Sequence, residues 1–586
     1  GLASAALQLD ADKASYSGYD LRIVGSPDSA IYNKGQLYVT DLIIENTKNA
    51  LACRYNGWAT LSGTCEIRNT AANPIRIFGK DDGDSYSNGV TLTKGASLLI
   101  DGVTNGHGIN NKGSFLADAD SQLIIRNVKG NNVNAINNNK GTMTLGNVTI
   151  DGVYVTVSMY NDTTINSNSG NGIQTNSALE LNGKVIISNI FIKAANGKTD
   201  NSNGSGIVVK GGGRITGSGS VTIEGSQTAP EGYEGYTGLH NGIFIQKSTI
   251  DIEGDISVTD AKNQGIYVAD ANGKLCAGNI TVSGVVSGNG IYVNNKDGSL
   301  EASGNVEVSA TGQNGICNAG KFTVDGNIFI HDISSGHNGL RNDGSGNMTV
   351  GGSVTIRNIS GTSKDKGRGN ALTSNGRVTV TGDLTISGVT TSGNTDNTSN
   401  NAINGSGVIT VGGNVTVTDK VAAGHGAFLD QGKLLVTGNI EINGTGSGKQ
   451  GIYGANETVK DGAVTKFAEV KAANITVRNA GGNGIYINKA SGSMTAAGNI
   501  TISNSGSRGI QTYGNITAGG DITVTGSKGD NAIYVRSNCK IKAANLSVKQ
   551  TTGNGIRFGA ADGSITVTGK IAVEDTAQHG IYNSHG

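Results

Sequence analysis

The chain has 586 residues, and its 45 Lys and Arg are balanced by 45 Asp and Glu, so its formal net charge is zero. It has no basic stripe or polybasic run, which excludes the electrostatic footprint of a nucleic-acid-binding protein, and no apolar run long enough to cross a bilayer. Gly accounts for 93 residues, Pro for 3, and 36% of the chain is hydrophobic. This balance suits the narrow core of a repeat protein better than several large globular cores.

A short block recurs along the chain: Asn, Gln or His, then Gly or Ala, then Ile or Leu, often followed by Tyr. Asn289-Gly-Ile-Tyr and Asn483-Gly-Ile-Tyr are clear copies. The interval between copies is about 23 to 25 residues, and it widens to the mid-thirties where residues are inserted. The residues that mark the copies are Ile31, Leu51, Ile75, Ile109, Ile136, Ile173, Ile207, Ile243, Ile266, Ile291, Ile316, Leu340, Leu372, Ile403, Ala427, Ile452, Ile485, Ile510, Ile533, Ile556 and Ile581.

Two more blocks follow within each repeat, as in Gly298-Ser-Leu-Glu-Ala-Ser-Gly and then Asn305-Val-Glu-Val-Ser. Each alternates apolar and polar residues and is bounded by Gly or Asn, which is the signature of a short strand with one buried face. Three strands in about 24 residues cannot bury their apolar faces alone, so successive repeats must stack. The sequence therefore predicts an all-β, single-stranded, three-sided parallel β-helix of about 20 rungs. Its right-handed sense follows from the preference of parallel crossovers.

We expect one continuous β-helix over residues 1–586, with less regular rungs in 1–108 and regular rungs in 109–586. Cys53 and Cys65, in the N-terminal part, are close enough in sequence to form a loop-closing disulfide in an oxidising compartment. The other three cysteines are widely spaced, and no Cys-x-x-Cys pair is present. The cysteines therefore indicate neither a metal site nor a redox site, and no cofactor is expected.

The regular period is interrupted by insertions at six places. Three consecutive repeats carry long insertions at the same corner, and because rungs stack, these loops must lie side by side. Loops on a rigid scaffold are where binding residues collect. The insertions lie near residues 154–171, 193–206, 226–241, 361–370, 391–401 and 454–467.

The first three insertions concentrate aromatic residues to a degree unusual for this chain, together with two Glu and one His. We interpret them as a candidate ligand-binding edge, and tolerated surface decoration remains the alternative. The candidate residues are Tyr154, Tyr160, Glu231, Tyr233, Glu234, Tyr236 and His240.

The Asn that precedes Gly-Ile recurs at one corner of many rungs, for example at Asn171, Asn338 and Asn554. A row of ligand-binding amides and a structural ladder are both compatible with this pattern. We favour the ladder, in which stacked side chains satisfy the backbone groups of the turn. His425 and His579 occupy the same slot and are interpreted as substitutes within the ladder.

No catalytic group is apparent. Glycan lyases and hydrolases need carboxylates clustered across adjacent rungs, but the acids of this chain are scattered in phase. The segments 80–84 and 118–120 are acidic and match no calcium-binding loop. We therefore expect a non-enzymatic protein.

The repeats Gly-Asn-Ile-Thr-Val-Ser-Gly and Asn-Gly-Ile-Tyr-Val, rich in Gly, Asn, Ser and Thr, resemble the passenger domains of bacterial autotransporter and haemagglutinin-like adhesins. The resemblance covers nearly the whole chain. It implies export through the Sec pathway, display on the outer surface of a Gram-negative bacterium, and a C-terminal β-barrel. The chain opens without Met and stops in mid-rung at Gly586, so we expect further rungs or that barrel beyond it. The nucleophile motif of the family's serine-protease subset is not found.

The expected function is that of a non-enzymatic cell-surface adhesin or structural rod. It would bind a host or bacterial surface protein or glycan through the inserted loops, without a nucleic-acid partner or a membrane-spanning segment. Two alternatives remain open: a carbohydrate-active β-helix enzyme, such as a polysaccharide lyase or hydrolase, and a filament or surface-layer subunit. Carboxylates within about 5–10 Å of each other across adjacent rungs would favour the enzyme.

Overall fold

A computed structural model describes residues 5–11, 13–79, 87–158, 169–194, 202–363, 365, 367–393, 396–419, 421–461 and 463–584. The chain divides into two compact units, Gly1–Ser303 and Gly304–Gly586. In each unit, short strands from successive repeats pair in parallel. Each unit is therefore a three-sided parallel β-helix, which confirms the predicted fold class, while its right-handed sense stays a prediction. The described residues contain no helix, so none of them forms a helix that could span a membrane.

Face 1 holds the strands that contain the Gly-Ile-Tyr block. In the first unit they are Leu7–Leu9, Ser29–Asn33, Asn49–Cys53, Ile75–Ile77, Ile109–Asn111, Ile136–Asn138, Ile173–Thr175, Ile207–Lys210, Asn241–Gln246, Gln264–Val268 and Ile291–Val293. In the second unit they are Ile316–Asn318, Leu340–Asn342, Leu372–Ser374, Ile403–Gly405, Ala427–Leu429, Ile452–Gly454, Ile485–Ile487, Ile510–Thr512, Asn531–Val535, Asn554–Phe558 and Ile581–Asn583.

Face 2 holds the second block of each repeat. In the first unit its strands are Trp58–Leu61, Gly89–Leu92, Ser114–Ala117, Thr142–Leu145, Ala178–Leu181, Arg214–Gly217, Thr249–Ile252, Lys274–Ala277 and Ser299–Ala302. In the second unit they are Lys321–Val324, Asn347–Val350, Arg377–Val380, Val408–Val411, Lys433–Val436, Glu469–Ala472, Ser493–Ala496, Asn515–Ala518, Lys540–Ala543 and Ser564–Val567.

Face 3 holds the third block. In the first unit its strands are Thr64–Thr70, Ser97–Thr104, Gln122–Asn131, Asn147–Val157, Lys184–Ala194, Ser220–Glu224, Ile256–Thr259 and Ile280–Val285, and the long strands Ser15–Val24 and Gln36–Thr47 run across faces 2 and 3. In the second unit they are Val306–Thr311, Ile328–Ile333, Val354–Ile359, Leu384–Val389, Val415–Thr418, Ile440–Asn443, Ile475–Arg478, Ile500–Ser503, Ile522–Thr525, Leu546–Thr551 and Ile571–Thr576.

Two small strand pairs stand outside the faces, both at predicted insertions of the second unit. Thr362–Ser363 pairs in parallel with Ser392–Gly393. Glu457–Lys460 and Ala463–Phe467 form an antiparallel hairpin.

The register of face 1 follows the sequence repeat. Within each unit, every marker residue pairs with the marker of the next repeat, from Ile31 to Ile291 and from Ile316 to Ile581. All of these side chains are buried except that of Ile581. A slip of one residue would turn each buried side chain to the other face, so burial fixes this register. The structure adds one face-1 strand before the first predicted repeat, in which Leu7 pairs with Ile31.

The Asn corner is a hydrogen-bonded ladder, as predicted. In the second unit, Asn314 Oδ1 accepts the backbone N–H of Asn338, and Asn338 Oδ1 accepts that of Asn370, at 3.1 and 3.0 Å. The same step continues through Asn401 to His425, whose Nδ1 accepts the N–H of Gln450 at 2.9 Å. These side chains therefore serve the scaffold.

The expected disulfide between Cys53 and Cys65 is not formed in the structure, where both thiols are free and buried. Cys53 lies on face 1 and Cys65 on face 3, and the face-2 strand Trp58–Leu61 lies between them in the chain, so the two cysteines belong to different sides of the rung. Burial raises the pKa of each thiol to about 12. Both side chains therefore act as small core residues.

Candidate binding surface

The first two predicted insertions begin within the strands Asn147–Val157 and Lys184–Ala194 of face 3, each 11 residues long. The preceding face-3 strand, Gln122–Asn131, has 10 residues, so three unusually long strands lie next to one another here. The strands bend at residues with positive φ, Asn127, Gly152 and Asn189, and pairing resumes in register beyond each of them. In these extensions Val155 and Ile192 are buried. The long strands therefore carry an additional packed layer beyond the regular rung.

Aromatic rings gather on these extensions. Lys129, Tyr154 and Phe191 are register partners on consecutive strands. Tyr154 stacks on the buried ring of Phe191, with ring centroids 5.8 Å apart. Tyr233, from the third inserted loop, stacks on Tyr154 at 4.0 Å, and Tyr236 meets Tyr233 edge-on at 5.4 Å. The structure thus brings together three of the predicted site residues.

Two lysines complete this group, which we name the aromatic–lysine cluster and define as Lys129, Tyr154, Lys193, Tyr233 and Tyr236. Lys129 Nζ lies 6.0 Å from the ring centroid of Tyr154 and 5.4 Å from that of Tyr233. Lys193 Nζ lies 5.8 Å from the ring centroid of Tyr236. Such cation–π contacts contribute about 0.5–1 kcal/mol each at exposed sites. All three rings are partly exposed.

The third inserted loop is attached to the long strands by backbone hydrogen bonds. The N–H of Ile192 donates to the carbonyl of Thr237 at 2.9 Å, and the N–H of Thr237 donates to the carbonyl of Ile192 at 2.8 Å. The hydroxyls of Thr156 and Tyr236 lie 3.3 Å apart. These contacts hold the loop in place, so the rings of the cluster are positioned before a ligand arrives.

His240, a predicted site residue, lies beneath the loop, with 4% of its surface exposed. Its Nε2 lies 3.0 Å from the hydroxyl of Thr237. Burial, reinforced by the charge of Lys262, lowers the pKa of His240 to about 4. The imidazole is therefore neutral at physiological pH, and its hydrogen bond to Thr237 helps to hold the loop in place.

The remaining predicted residues are separate from the rings. Glu231 and Glu234 are exposed on the same loop. Glu234 Oε1 accepts the N–H of Gly232 at 3.1 Å. The backbone N–H groups of Glu234 and Gly232, with the charge of Lys193, lower the pKa of the Glu234 carboxyl. Tyr160 lies outside the described residues.

The sequence-based set omitted both lysines. Lys129 belongs to a regular-looking strand outside the insertions, and Lys193, at the start of the second insertion, did not stand out among the residues there. The register points to both: Lys129 stands opposite Tyr154, and Thr156 opposite Lys193. A search for charged residues that pair in strand register with aromatic residues would have found Lys129.

A groove of about 540 Å³ adjoins the cluster, with Lys129 in its wall. Within it, Arg68 lies between two acids, 3.0 Å from Glu66 and 3.9 Å from Asp101. The residues that line the groove are Arg68, Asn69, Thr70, Ala71, Asp101, Gly102, Val103, Thr104, Asn127 and Lys129. The groove and the aromatic–lysine cluster therefore share Lys129.

In the described part of the chain, no group of three His, Cys, Asp or Glu residues is arranged to hold a metal ion. Asp118 and Asp120 form an exposed turn in which Asp118 Oδ1 accepts the N–H of Asp120, and Asp120 pairs with Lys94. The acidic segment 80–84 lies outside the described residues.

Comparison with known proteins gives no assignment. No family model matches the chain, no curated protein is significantly similar to it, and no solved structure matches it significantly. Its function therefore has to be inferred from its own residues.

Proposed function

We propose that the chain is a non-enzymatic bacterial surface adhesin, similar to an autotransporter passenger, and that it is exported to the outer surface. It binds a glycan or protein of a host or neighbouring cell through the aromatic–lysine cluster. The observation that supports the proposal is the cluster itself, in which three partly exposed tyrosines and two lysines from three strands and one anchored loop meet. Aromatic rings offer flat apolar faces to sugars and side chains, and aromatic patches concentrate binding energy.

The arrangement closest to an acid–base site is in the second unit, at His331. Its Nδ1 lies 2.6 Å from Asp332 Oδ2, and its Nε2 lies 3.2 Å from Glu307 Oε1. Both ring nitrogens are therefore engaged by carboxylates and present no free nitrogen to a substrate. The carboxylates of Glu307 and Asp332 lie on neighbouring rungs, at the separation of about 5–10 Å that a glycan-cleaving pair requires. Because the imidazole of His331 occupies both carboxylates, a structural hydrogen-bonded cluster accounts for the group better than catalysis does, and the enzyme is the less favoured function.

The proposal is tested with the double variant Tyr233→Ala, Tyr236→Ala. We expect the binding of the purified protein to cells or to a glycan array to weaken by tenfold or more, because truncating an aromatic hot spot costs about 2 kcal/mol. The loop remains attached through the backbone of Thr237, so the circular dichroism spectrum and the melting temperature should change little.

The matched control is Tyr19→Ala, because Tyr19 is an exposed tyrosine of the same unit that lies outside the cluster. It should bind like the unchanged protein. Replacing residues 228–235 with a Gly-Ser linker is the loop variant of choice, since Leu239, His240 and Asn241 are buried and removing them would disturb a face-1 strand. The proposal would be contradicted if the double variant Tyr233→Ala, Tyr236→Ala and the loop variant both bound as well as the unchanged protein.

A further inference from the structure

The second unit contains a groove of about 450 Å³ where the hairpin Glu457–Phe467 stands beside the corner between faces 1 and 2. The groove crosses four successive rungs. Its lining residues are Gly344, Ser345, Gly346, Asn347, Asn375, Gly376, Arg377, Ser406, Gly407, Val408, Gln431, Lys433, Thr465, Lys466 and Phe467.

One wall of the groove is the hairpin, which is held in place by side chains. Asn456 Nδ2 donates to Asp430 Oδ1 at 2.5 Å, and the hydroxyl of Thr458 is hydrogen-bonded to Gln431 Oε1. At the same base of the hairpin, where Phe467 pairs with Glu457, Lys433 Nζ lies 5.2 Å from the ring centroid of Phe467. The groove is therefore largely formed in the absence of a ligand, as binding sites for small ligands usually are.

The floor is backbone. Gly346, Gly376 and Gly407 follow one another at the corner of successive rungs, where a Cβ on Gly376 would lie 2.2 Å from the carbonyl oxygen of Gly346 and one on Gly407 would lie 1.9 Å from that of Gly376. Only glycine fits this close approach of the chains. Gly346, Gly376 and Gly407 therefore keep the rungs close together beneath the groove, and all three are among its lining residues.

The walls are positively charged. Arg377, Lys433 and Lys466 line the groove, and none of its lining residues is an acid. Lys433 and Lys471 share Glu469, each at 2.6 Å, so these three residues together keep one net positive charge. Within the described part of the chain, Arg377 and Lys466 form no ion pair. The groove therefore favours an anionic ligand.

The charges are spaced along the rungs. Asn347, Arg377, Val408 and Lys433 are register partners on four consecutive face-2 strands. Arg377 and Lys433 are two rungs apart, or about 10 Å from the strand spacing, close to the length of a disaccharide. Phe467 offers a ring face for a sugar.

From this arrangement we infer that the groove binds an acidic polysaccharide whose carboxylate or sulfate groups occur on alternate sugars. The chain of sugars lies along the rungs, with acidic groups at Arg377 and Lys433 and with Lys466 above it. The face-2 strands are paired on both sides, so the floor offers no edge for backbone pairing with an extended acidic peptide. The hairpin strand Ala463–Phe467 is paired on one side only, so an acidic peptide is the competing ligand that the experiment has to distinguish. Three cations are also few for a nucleic acid.

This groove lies in the second unit, and the inference does not depend on the proposed function of the aromatic–lysine cluster. The experiment is titration calorimetry of the full chain with a hexasaccharide of alternating uronate and N-acetylhexosamine. The variant is Arg377→Gln, Lys466→Gln. Both side chains are exposed, so folding should be retained, as judged by circular dichroism. We expect at least a tenfold loss of affinity and a smaller dependence of binding on salt.

The matched control is Lys540→Gln, at the same register position of face 2 but outside the groove; it should bind like the unchanged protein. Two comparison probes decide the ligand class: polyglutamate for an acidic peptide and inorganic sulfate for a free anion. Tighter binding of either probe than of the hexasaccharide would overturn the inference. So would equal binding of a neutral hexasaccharide, or a double variant with unchanged affinity.

Discussion

At the scale of single residues, the most informative position is His425. It occupies the position that Asn holds in other rungs of the corner ladder. Its backbone N–H donates to Asn401 Oδ1, and its Nδ1 accepts the backbone N–H of Gln450. Its ring is almost fully buried and lies 5.3 Å from that of Tyr453. A ring that accepts through Nδ1 has to be neutral there, so the scaffold, and not catalysis, sets its protonation state.

Replacing His425 with Asn should reduce the loss of stability in acid. Burial, with the charge of Lys449, lowers the pKa of His425 to about 3 from an ordinary value of 6.5. Below pH 6.5 the unfolded chain binds a proton that the folded chain does not, so the free energy of unfolding falls as the pH falls, by about 1.4 kcal/mol per pH unit for this group. Asn keeps the acceptor and removes the titration.

The measurement is denaturant unfolding of both proteins at pH 7, 6 and 5, above the range in which carboxylates titrate. The variant should show the shallower decline. Parallel curves for the His425 variant and the unchanged protein would show that the ring does not stay neutral in the fold.

At the scale of elements, the corners decide whether rungs can stack. Each face-1 strand ends in a tight turn before face 2, and the main chains of neighbouring rungs approach one another there. At Gly407 the approach leaves no room for a Cβ, whereas at Gly344, in the preceding rungs of the same corner region, nothing lies within 4 Å of the Cβ position. The two glycines therefore have different roles despite similar sequence surroundings.

Gly407→Ala should destabilise the second unit by about 1–3 kcal/mol, the usual cost of forcing an added methyl group into packed structure. Gly344→Ala should change stability by no more than about 0.5 kcal/mol. Denaturant unfolding followed by circular dichroism compares the two. A similar loss of stability in both variants would mean that backbone flexibility, and not the contact with Gly376, explains why Gly407 is a glycine.

The elements differ in how far the sequence predicts them. The face-1 register was predictable at every marker residue, because a buried Ile every rung has only one satisfactory pairing. The hairpin formed by Glu457–Lys460 and Ala463–Phe467 lies within one of the predicted breaks in the period. The aromatic–lysine cluster was predicted only in part, since Lys129 and Lys193 come from strands on either side of Tyr154. The groove beside the hairpin was missed, because Arg377 and Lys433 lie 56 residues apart and meet only through stacking.

At the scale of the whole molecule, apolar burial and backbone pairing stabilise the chain far more than charge does. Ion pairs are mostly exposed, as in Lys94–Asp120, whose side chains are 78% and 64% exposed. Such pairs contribute about 0–1 kcal/mol each. The column of Ile, Leu and Val residues inside each unit is almost fully buried, and it is the main source of stability.

The melting temperature should therefore be nearly insensitive to salt. Between about 0.05 and 1 M NaCl we expect a change of less than about 4 °C by circular dichroism, because screening acts on contacts that contribute little. Binding of the acidic hexasaccharide should weaken strongly over the same range. A large fall in melting temperature would instead show that charge networks hold the rungs together.

The corner ladder also has a direction. In each step described, the side chain of one rung accepts a hydrogen bond from the backbone of the rung that follows it in the chain. Removing rungs from the C-terminal side would leave side-chain acceptors without a donor, which water satisfies readily. Removing rungs from the N-terminal side would leave backbone N–H groups without an acceptor, which proteins tolerate less well. If the rungs form in the order of synthesis, the side-chain acceptor of each corner is therefore in place before the backbone donor of the next rung is added.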